Sequence, residues 1–381
     1  MRIVLSFNFS ETYNRCGAQD WGINYLMGLL HLGHDVYLIE EVHDKHCFDS
    51  GFEPVSFQDW MGRHHFERLT STLGLWHQSC LIYNGGQATH GLSFADAITV
   101  AESADLLLNF AGRLKAPEIL ERIPCRAYVD RNPGTEQVYN AVYGIDYGFD
   151  RHHYFFTHGL NVGAAECAIP TCGRTWHPTM VPVVLSLWPF VDSPGQQFNT
   201  VTGWGGRETF DLAGQYSGEK GDEWSRFVGL PQRTSQQLGL ALDFNPRYED
   251  DLSCLRNNGW HLTDARQFRS AADYRAYIVN SKAEFTVVHT PFAKYKIAAS
   301  VDRLTRYTAS GRPVLCQSMG LESHIPIGDG VLTFSTIEEA VDGIDRINSD
   351  YPTHCRAARA IAEDYFDSDK VLSRMLRTMG F

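Results

Sequence analysis

Apolar residues along this chain come in short dense runs, each followed by a polar or glycine-bearing corner. In the first half these are "RIVLSF", "HDVYLIEEV", "DLLLNFAG", "CRAYVDRNPG" and "HYFFTHGLNVG". In the second half they are "FNTVTGWGG", "LGLALDF", "AEFTVVH", "PVLCQ" and "GVLTFST". Continuous apolar runs, rather than alternation, mark strands covered on both faces, as in a parallel sheet. Segments of helical period lie between them: "INYLMGLLHLG", "DYRAYIV", "IEEAVDGIDRINSD" and the closing "THCRAARAIAEDYFDSDKVLSRMLRTM". Strand and helix in alternation predict an α/β protein of doubly wound, Rossmann-like sheets.

The first unit reads as strand 2–7, a polar loop over 8–22, a helix over 23–33 stopped at Gly33, and a second strand. A Pro- and Gly-rich stretch at 168–206 interrupts the alternation, which then restarts, so two domains facing a cleft are expected. The expected division is an N-terminal domain over 1–190, a C-terminal domain over 195–352, and a terminal helix over 353–381 crossing back to the first.

One stretch, "SVDRLTRYTASGRPVLCQSMG" (300–320), carries a whole helix–stop–strand–loop signal. Ser300 or Asp302 is the expected N-cap, because a short side-chain oxygen accepts from first-turn N–H groups. Leu304, Tyr307 and Thr308 follow at helical spacing, Gly311 supplies a left-handed stop, and Pro313 prevents continuation. The "QSMG" loop at the end of the "VLC" strand falls where doubly wound sheets bind ligands.

Composition narrows the classes. At 381 residues with 43% hydrophobic and 20% charged positions, the chain is an ordinary globular protein and long for one core. A net charge of −12 gives no general attraction for a polyanion. No apolar run is long enough to span a bilayer, the N-terminus does not read as a signal peptide, and nine cysteines lack disulfide-like spacing. A cytoplasmic setting is therefore expected.

The second half resembles the nucleotide-sugar domain of GT-B glycosyltransferases. The likeness rests on "AEFTVVH", the 300–320 stretch, "PIGDGVLTFSTIEEAVDGIDRI" and "HCRAARAIAEDYF", and "GLLHLGHDVYLIE" resembles the first helix and second strand of the acceptor domain. It is closest to a group of bacterial glycosyltransferase-like proteins of unassigned substrate. The resemblance implies transfer of a sugar from a nucleotide-sugar donor, a UDP-sugar foremost, to an acceptor hydroxyl, with no cofactor and no bound metal. Many retaining members carry a glutamate pair where this chain has Lys296, Asp302 and Arg303.

A donor diphosphate calls for cations and backbone N–H groups. His289, Lys294, Lys296 and Arg303, with Ser300 and the helix start, form the expected cradle, Arg303 foremost; solvated surface side chains are the plain alternative. Gly205 and Gly206 in "GWGGR" allow close backbone approach or form a turn. Gln317 suits sugar hydroxyls or ordinary loop bonds. Tyr307 suits base stacking or, more simply, packing on a neighbouring helix. For a catalytic base the candidates are Asp20, Asp130 and His158, and sequence does not choose among them. Asp130 also suits a turn cap. His152, His153 and His158 with Cys167, Cys172 and His177 lack zinc-like spacing. Asp367 in "FDSD" reads as a helix cap, and Trp176, Trp188 and Trp204 as core. A small-molecule acceptor is favoured. DNA carrying hydroxymethylated bases is the alternative, through Arg113, Lys115, Arg122, Arg126 and Arg131, and a non-catalytic sugar-nucleotide binder is the other.

Overall fold

A computed structural model describes all residues except 14, 50, 192–194 and 206–208. The chain divides into two compact units. The first comprises Met1–Arg131, Ile145–Thr157 and Arg174–His177, and the second Asn132–Gly144, His158–Gly173 and Pro178–Phe381.

The first unit is built on β1 (Arg2–Ser6), β2 (Asp35–Val42), β3 (Ser79–Tyr83), β4 (Ala88–Gly91), β5 (Leu106–Phe110), β6 (Cys125–Val129), β7 (Tyr154–Thr157) and β8 (Trp176–Pro178), in the spatial order β4-β3-β2-β1-β5-β6-β7-β8. The strands from β3 to β7 pair in parallel, and β4 folds back antiparallel on β3. The chain therefore reverses direction across the sheet between β1 and β5, where Ile3 faces Val36 on one side and Leu106 on the other.

The second unit carries β9 (Gln197–Val201), a small hairpin of β10 (Asp211–Leu212) and β11 (Gln215–Tyr216), β12 (Gln237–Leu242), β13 (His261–Asp264), β14 (Ala283–Thr286), β15 (Val314–Gln317) and β16 (Val331–Phe334). Its main sheet runs β13-β12-β9-β14-β15-β16, wholly parallel. Leaving the hairpin aside, this is strand order 3-2-1-4-5-6, the doubly wound arrangement whose ligand crevice lies beside the first and fourth strands. The core beneath packs Phe198, Trp224, Leu240, Trp260, Phe285, Leu315 and Phe334 between sheet and helices. The core reading of the tryptophans holds: Trp176, Trp188 and Trp204 are all buried.

Two local expectations need correction. The 8–22 stretch is not one loop: a helix begins at Cys16 and runs to His31, with a 3₁₀ turn at Phe9–Thr12 before it. Gly22 sits inside that helix because a Cβ there would lie 2.6–2.7 Å from the rings of Phe9 and Phe7. Close packing, not a chain break, selects the glycine. At the 300–320 stretch the helix is Asp302–Ala309, but its N-cap is Val301, with no side-chain cap bond. Ser300 Oγ instead accepts from the Val181 N–H at 2.9 Å, and Asp302 is already helical. The C-terminal stop is as read: Gly311 has φ +70°, and the N–H groups of Gly311 and Arg312 donate back to Thr308 and Tyr307. Asp367 caps the Ser368–Thr378 helix, accepting from the Asp369 N–H at 3.1 Å.

Candidate functional site

In the second unit the crevice beside β9 and β14 gathers charge. β14 leads through Val287–His289 into a short helix, Thr290–Lys294, whose Thr290 hydroxyl donates to the Glu219 carbonyl at 2.8 Å. That bond brings the short Lys220–Ser225 helix alongside, with Lys220 only 2% exposed. Arg303, on the first turn of the Asp302–Ala309 helix, points its Nε at Glu284 Oε1, 3.4 Å away, and lies 3.7 Å from its neighbour Asp302. Glu284 is fully buried on β14 and accepts from the Thr200 hydroxyl of β9 at 3.0 Å.

The electrostatics show how close these groups are. Burial pushes the Glu284 carboxyl up to about 7, against the opposing pull of Arg303, the Thr200 hydrogen bond and Lys220. Burial, then the charges of Lys220 and Arg303, hold the half-buried His289 imidazole well below its ordinary range. Arg303 and Lys220 thus lie near one carboxyl buried within β14, and the neutral His289 ring, just beyond the end of that strand, lies near both cations. Such a setting favours a further anion.

The remaining basic candidates stand apart. Lys294 is exposed and donates to the Tyr216 carbonyl of the hairpin at 2.9 Å. Lys296 is exposed, with φ +48°. The loop around it is held by its backbone: the Lys296 carbonyl accepts from Asn161 Nδ2 at 2.8 Å, the Ala298 N–H donates to Met319, and the Leu160 N–H to Ala298. His324 Nε2 completes the lattice at 2.7 Å from Asn161 Oδ1. Ser300 N–H donates to the His158 carbonyl at 2.8 Å, so Ser300 serves this framework as well. Gln317 is engaged twice, donating to Glu223 at 2.6 Å and accepting from the Val288 N–H at 3.2 Å. Tyr307 is fully buried and donates to Asn199 Oδ1 at 2.8 Å, the packing role. At Gly205 a Cβ would overlap Tyr248, 1.6 Å from its hydroxyl, while Gly206 lies outside the described residues.

Sequence reading missed Lys220, Glu284 and Asn161. A lysine at a helix start and a glutamate inside an apolar strand carry no motif; only the unusual charge within "AEFTVV" gave a hint.

His158 is buried, and its Nδ1 lies 3.1 Å from the Thr179 carbonyl. A carbonyl accepts only, so Nδ1 bears the proton and Nε2 is the basic nitrogen of the neutral ring. In the first unit, the corresponding crevice lies beside β1 and β5. Glu40 of β2 accepts from the Phe9 and Ser10 N–H groups at 2.5 and 3.1 Å, fixing the turn after β1. The Arg131 guanidinium lies 4.6 Å from the Phe7 ring and 4.8 Å from the Trp21 ring, and bonds Asn8. Asp130 is buried, accepting from the Thr157 hydroxyl at 2.7 Å. Asp20, in the Cys16–His31 helix, accepts from Asn24 at 3.0 Å. Among the described residues no cluster of His, Cys, Asp or Glu suits a metal ion. His152 donates to the Gly148 carbonyl and accepts from Asn109, a structural pair of bonds. No described helix is long and apolar enough to cross a membrane.

No protein-family model matches the chain, and no curated protein matches it in sequence. Solved structures do. An alpha-glucosyltransferase in complex with UDP and a 13-mer DNA containing a HMU base matches over all of both chains, at 10% identity and a TM-score of 0.60. HepE of Anabaena, in complex with UDP and glucose, matches all of this chain and 99% of its own, at 13% identity and 0.59. Sucrose-phosphate synthase from Thermosynechococcus elongatus matches over 99% and 98%, at 12% identity and 0.52. At such identities the likeness speaks to fold, and with the two strand orders above it identifies the chain as a two-domain, Rossmann-like α/β protein of GT-B fold.

Proposed function

We propose that this protein is a glycosyltransferase that moves a sugar from a nucleotide-sugar donor, a UDP-sugar, to an acceptor hydroxyl without a bound metal. The observation that carries this reading is the gathering of Arg303, Lys220 and His289 beside β14, where Glu284 lies buried within the strand and His289 follows its carboxyl end. A diphosphate placed there meets Arg303 and the first-turn N–H groups of its helix, and these groups stabilise the negative charge that grows as the diphosphate leaves. The solved neighbours bound to UDP support the choice of nucleotide. The second unit is the donor side and the first unit the acceptor side. Of the three candidate bases, His158 has the strongest claim, because its basic Nε2 is oriented by the Thr179 bond. The cytoplasm suits nine cysteines that are all free thiols.

A small acceptor suits the first unit better than DNA. Three of the five cations expected to meet a duplex are engaged elsewhere: Arg113 to Glu11 at 2.6 Å, Arg122 to Glu102 at 3.2 Å, and Arg126 to the Arg151 carbonyl at 2.7 Å. The DNA-bound neighbour keeps the hydroxymethylated-base reading as the second one.

The test is a thermal-shift screen of UDP-, GDP-, TDP- and ADP-glucose on wild type and Arg303→Ala, followed by acceptor screening. UDP-glucose at about 100 times its Kd should stabilise wild type by about 2.7 kcal/mol, and Arg303→Ala should lose the shift while remaining folded by circular dichroism. A folded wild type that no nucleotide sugar stabilises overturns the assignment. Binding without transfer to any acceptor supports a non-catalytic binder instead.

A further inference from the structure

Glu284 has a role to explain. A fully buried carboxyl on a central strand is costly unless paired, and its pairing is incomplete. Oε1 accepts from Thr200 and faces Arg303, whereas Oε2 is buried and has no hydrogen-bond partner among the described residues. Thr286, two residues on and therefore on the same face of β14, has a buried hydroxyl oxygen in the same condition. The Arg303 Nε contact is an ion pair at 3.4 Å rather than a hydrogen bond. The Arg303 side chain, 18% exposed, thus rests against Glu284 without a hydrogen bond from its buried Nε.

We propose that Glu284 is a positioning residue for the donor: its carboxylate holds Arg303 while the site is empty, and it takes up one solvent proton when a diphosphate arrives. The inference rests on the donor reading above. Its physical basis is competition for one cation. With the site empty, the negative carboxyl offsets Arg303. A bound diphosphate brings two negative charges to the same guanidinium, and repulsion between them and Glu284 favours the neutral acid. The proton enters on Oε2, the oxygen that has no donor to lose. The groups facing Glu284 are Arg303, Asp302 and Tyr307 from the helix above, Lys220 from the neighbouring short helix, Cys316 from β15 and Thr200 from β9. Burial moves the Glu284 carboxyl up to about 7, while it raises the Tyr307 hydroxyl and the Cys316 thiol further from the neutral range. His289 beside them is held neutral across this range, so it cannot supply the same proton.

The experiment is calorimetric titration of the full chain with UDP-glucose, whose diphosphate diester does not titrate near neutrality. Runs near pH 7 in two buffers of different ionisation enthalpy read proton uptake directly, and runs between about pH 6 and 8 read the affinity. Wild type should take up a substantial fraction of a proton, and its affinity should weaken as pH rises, by up to about tenfold across that range. Glu284→Gln, which keeps the oxygen that accepts from Thr200, should bind at least as tightly at the high end and show neither uptake nor slope. Binding without proton uptake in wild type overturns this inference and leaves the donor reading intact. The same slope in Glu284→Gln also overturns it. Absence of UDP-glucose binding at every pH, with the protein folded, overturns the donor reading and this inference together. The wild-type uptake needs no variant, so a misfolded Glu284→Gln does not remove the test.

Discussion

Replacing Arg312 by methionine will unfold the second unit at a markedly lower temperature and leave donor chemistry untouched until it does. Arg312 belongs to the Gly-Arg-Pro-Val run of the 300–320 stretch, where a cation invites reading as a phosphate ligand. Its side chain is instead fully buried. Nε and one terminal nitrogen donate to the Val279 carbonyl at 3.0 and 2.7 Å, closing the end of the Ala271–Val279 helix, and the other donates to the Tyr351 hydroxyl at 3.1 Å. Methionine fills much of the volume but donates nothing. The Val279 carbonyl then loses both donors, and a buried acceptor left without a partner costs about 1–3 kcal/mol. The lost charge-assisted bond to Tyr351 adds about 1–2 kcal/mol, while no longer burying a cation returns part of the total. The net loss is about 3 kcal/mol, which corresponds to roughly 6–12 °C in Tm for a domain of about 150–250 residues. Scanning calorimetry on wild type, Arg312→Met and Arg312→Lys measures it. Lysine keeps the charge without the fork that reaches both acceptors, so it should fall between the other two. An Arg312→Met protein within about 2 °C of wild type, or one as stable as wild type but unable to bind UDP-glucose, would refute the clamp.

Glu40 in the first unit is pushed up to about 7 by burial, against the Ser10 and Phe9 N–H bonds, from an ordinary value of 4.5. The unfolded chain therefore loses this proton first, and stability should fall as pH rises from about 4.5 to 7, then level off, by at most about 3 kcal/mol. Urea unfolding of wild type and Glu40→Gln across that range should show the slope only in wild type. On the acid side, burial holds His152 down to about 4, so the unfolded chain gains that proton first. Stability from this group, present above about 6.5, should be lost as pH falls toward 4, and His152→Gln should flatten that limb. Gly330→Ala should destabilise by more than about 2 kcal/mol, because φ is +77° and the new Cβ would lie 2.3 Å from the Ala358 backbone nitrogen. Gly74→Ala, at φ +73° with open space around it, should cost only about 1 kcal/mol in the same melts. Finally, Tyr307→Phe should lose about 1 kcal/mol, since Asn199 Oδ1 still accepts from the Ser281 hydroxyl at 2.6 Å.

Much of the architecture is written locally. Dense apolar runs such as "RIVLSF" and "VLCQ" are strands because a parallel sheet buries both faces, and a left-handed Gly311 stops a helix wherever the chain goes next. Asp367 caps its helix through a bond spanning two residues. The cysteine pattern and the strand–helix alternation are equally local, which is why the fold class is legible in the sequence. The outcome was otherwise where a residue answers to a distant partner. Gly22 reads as a loop residue in the sequence because the rings it must clear, Phe7 and Phe9, lie over ten positions earlier. Ser300 looked like a cap, but its hydroxyl is taken by Val181. Arg303 was a candidate cation from its position alone. That it shares a buried site with Lys220, His289 and Glu284 depends on β14 lying beside β9 and on the Thr290–Glu219 bond, across some seventy residues of chain. Helix stops, caps and burial periods follow from short-range sterics and the local apolar pattern. Strand order and the charges it brings together follow from which buried surfaces fit, a property of the whole chain packed at once.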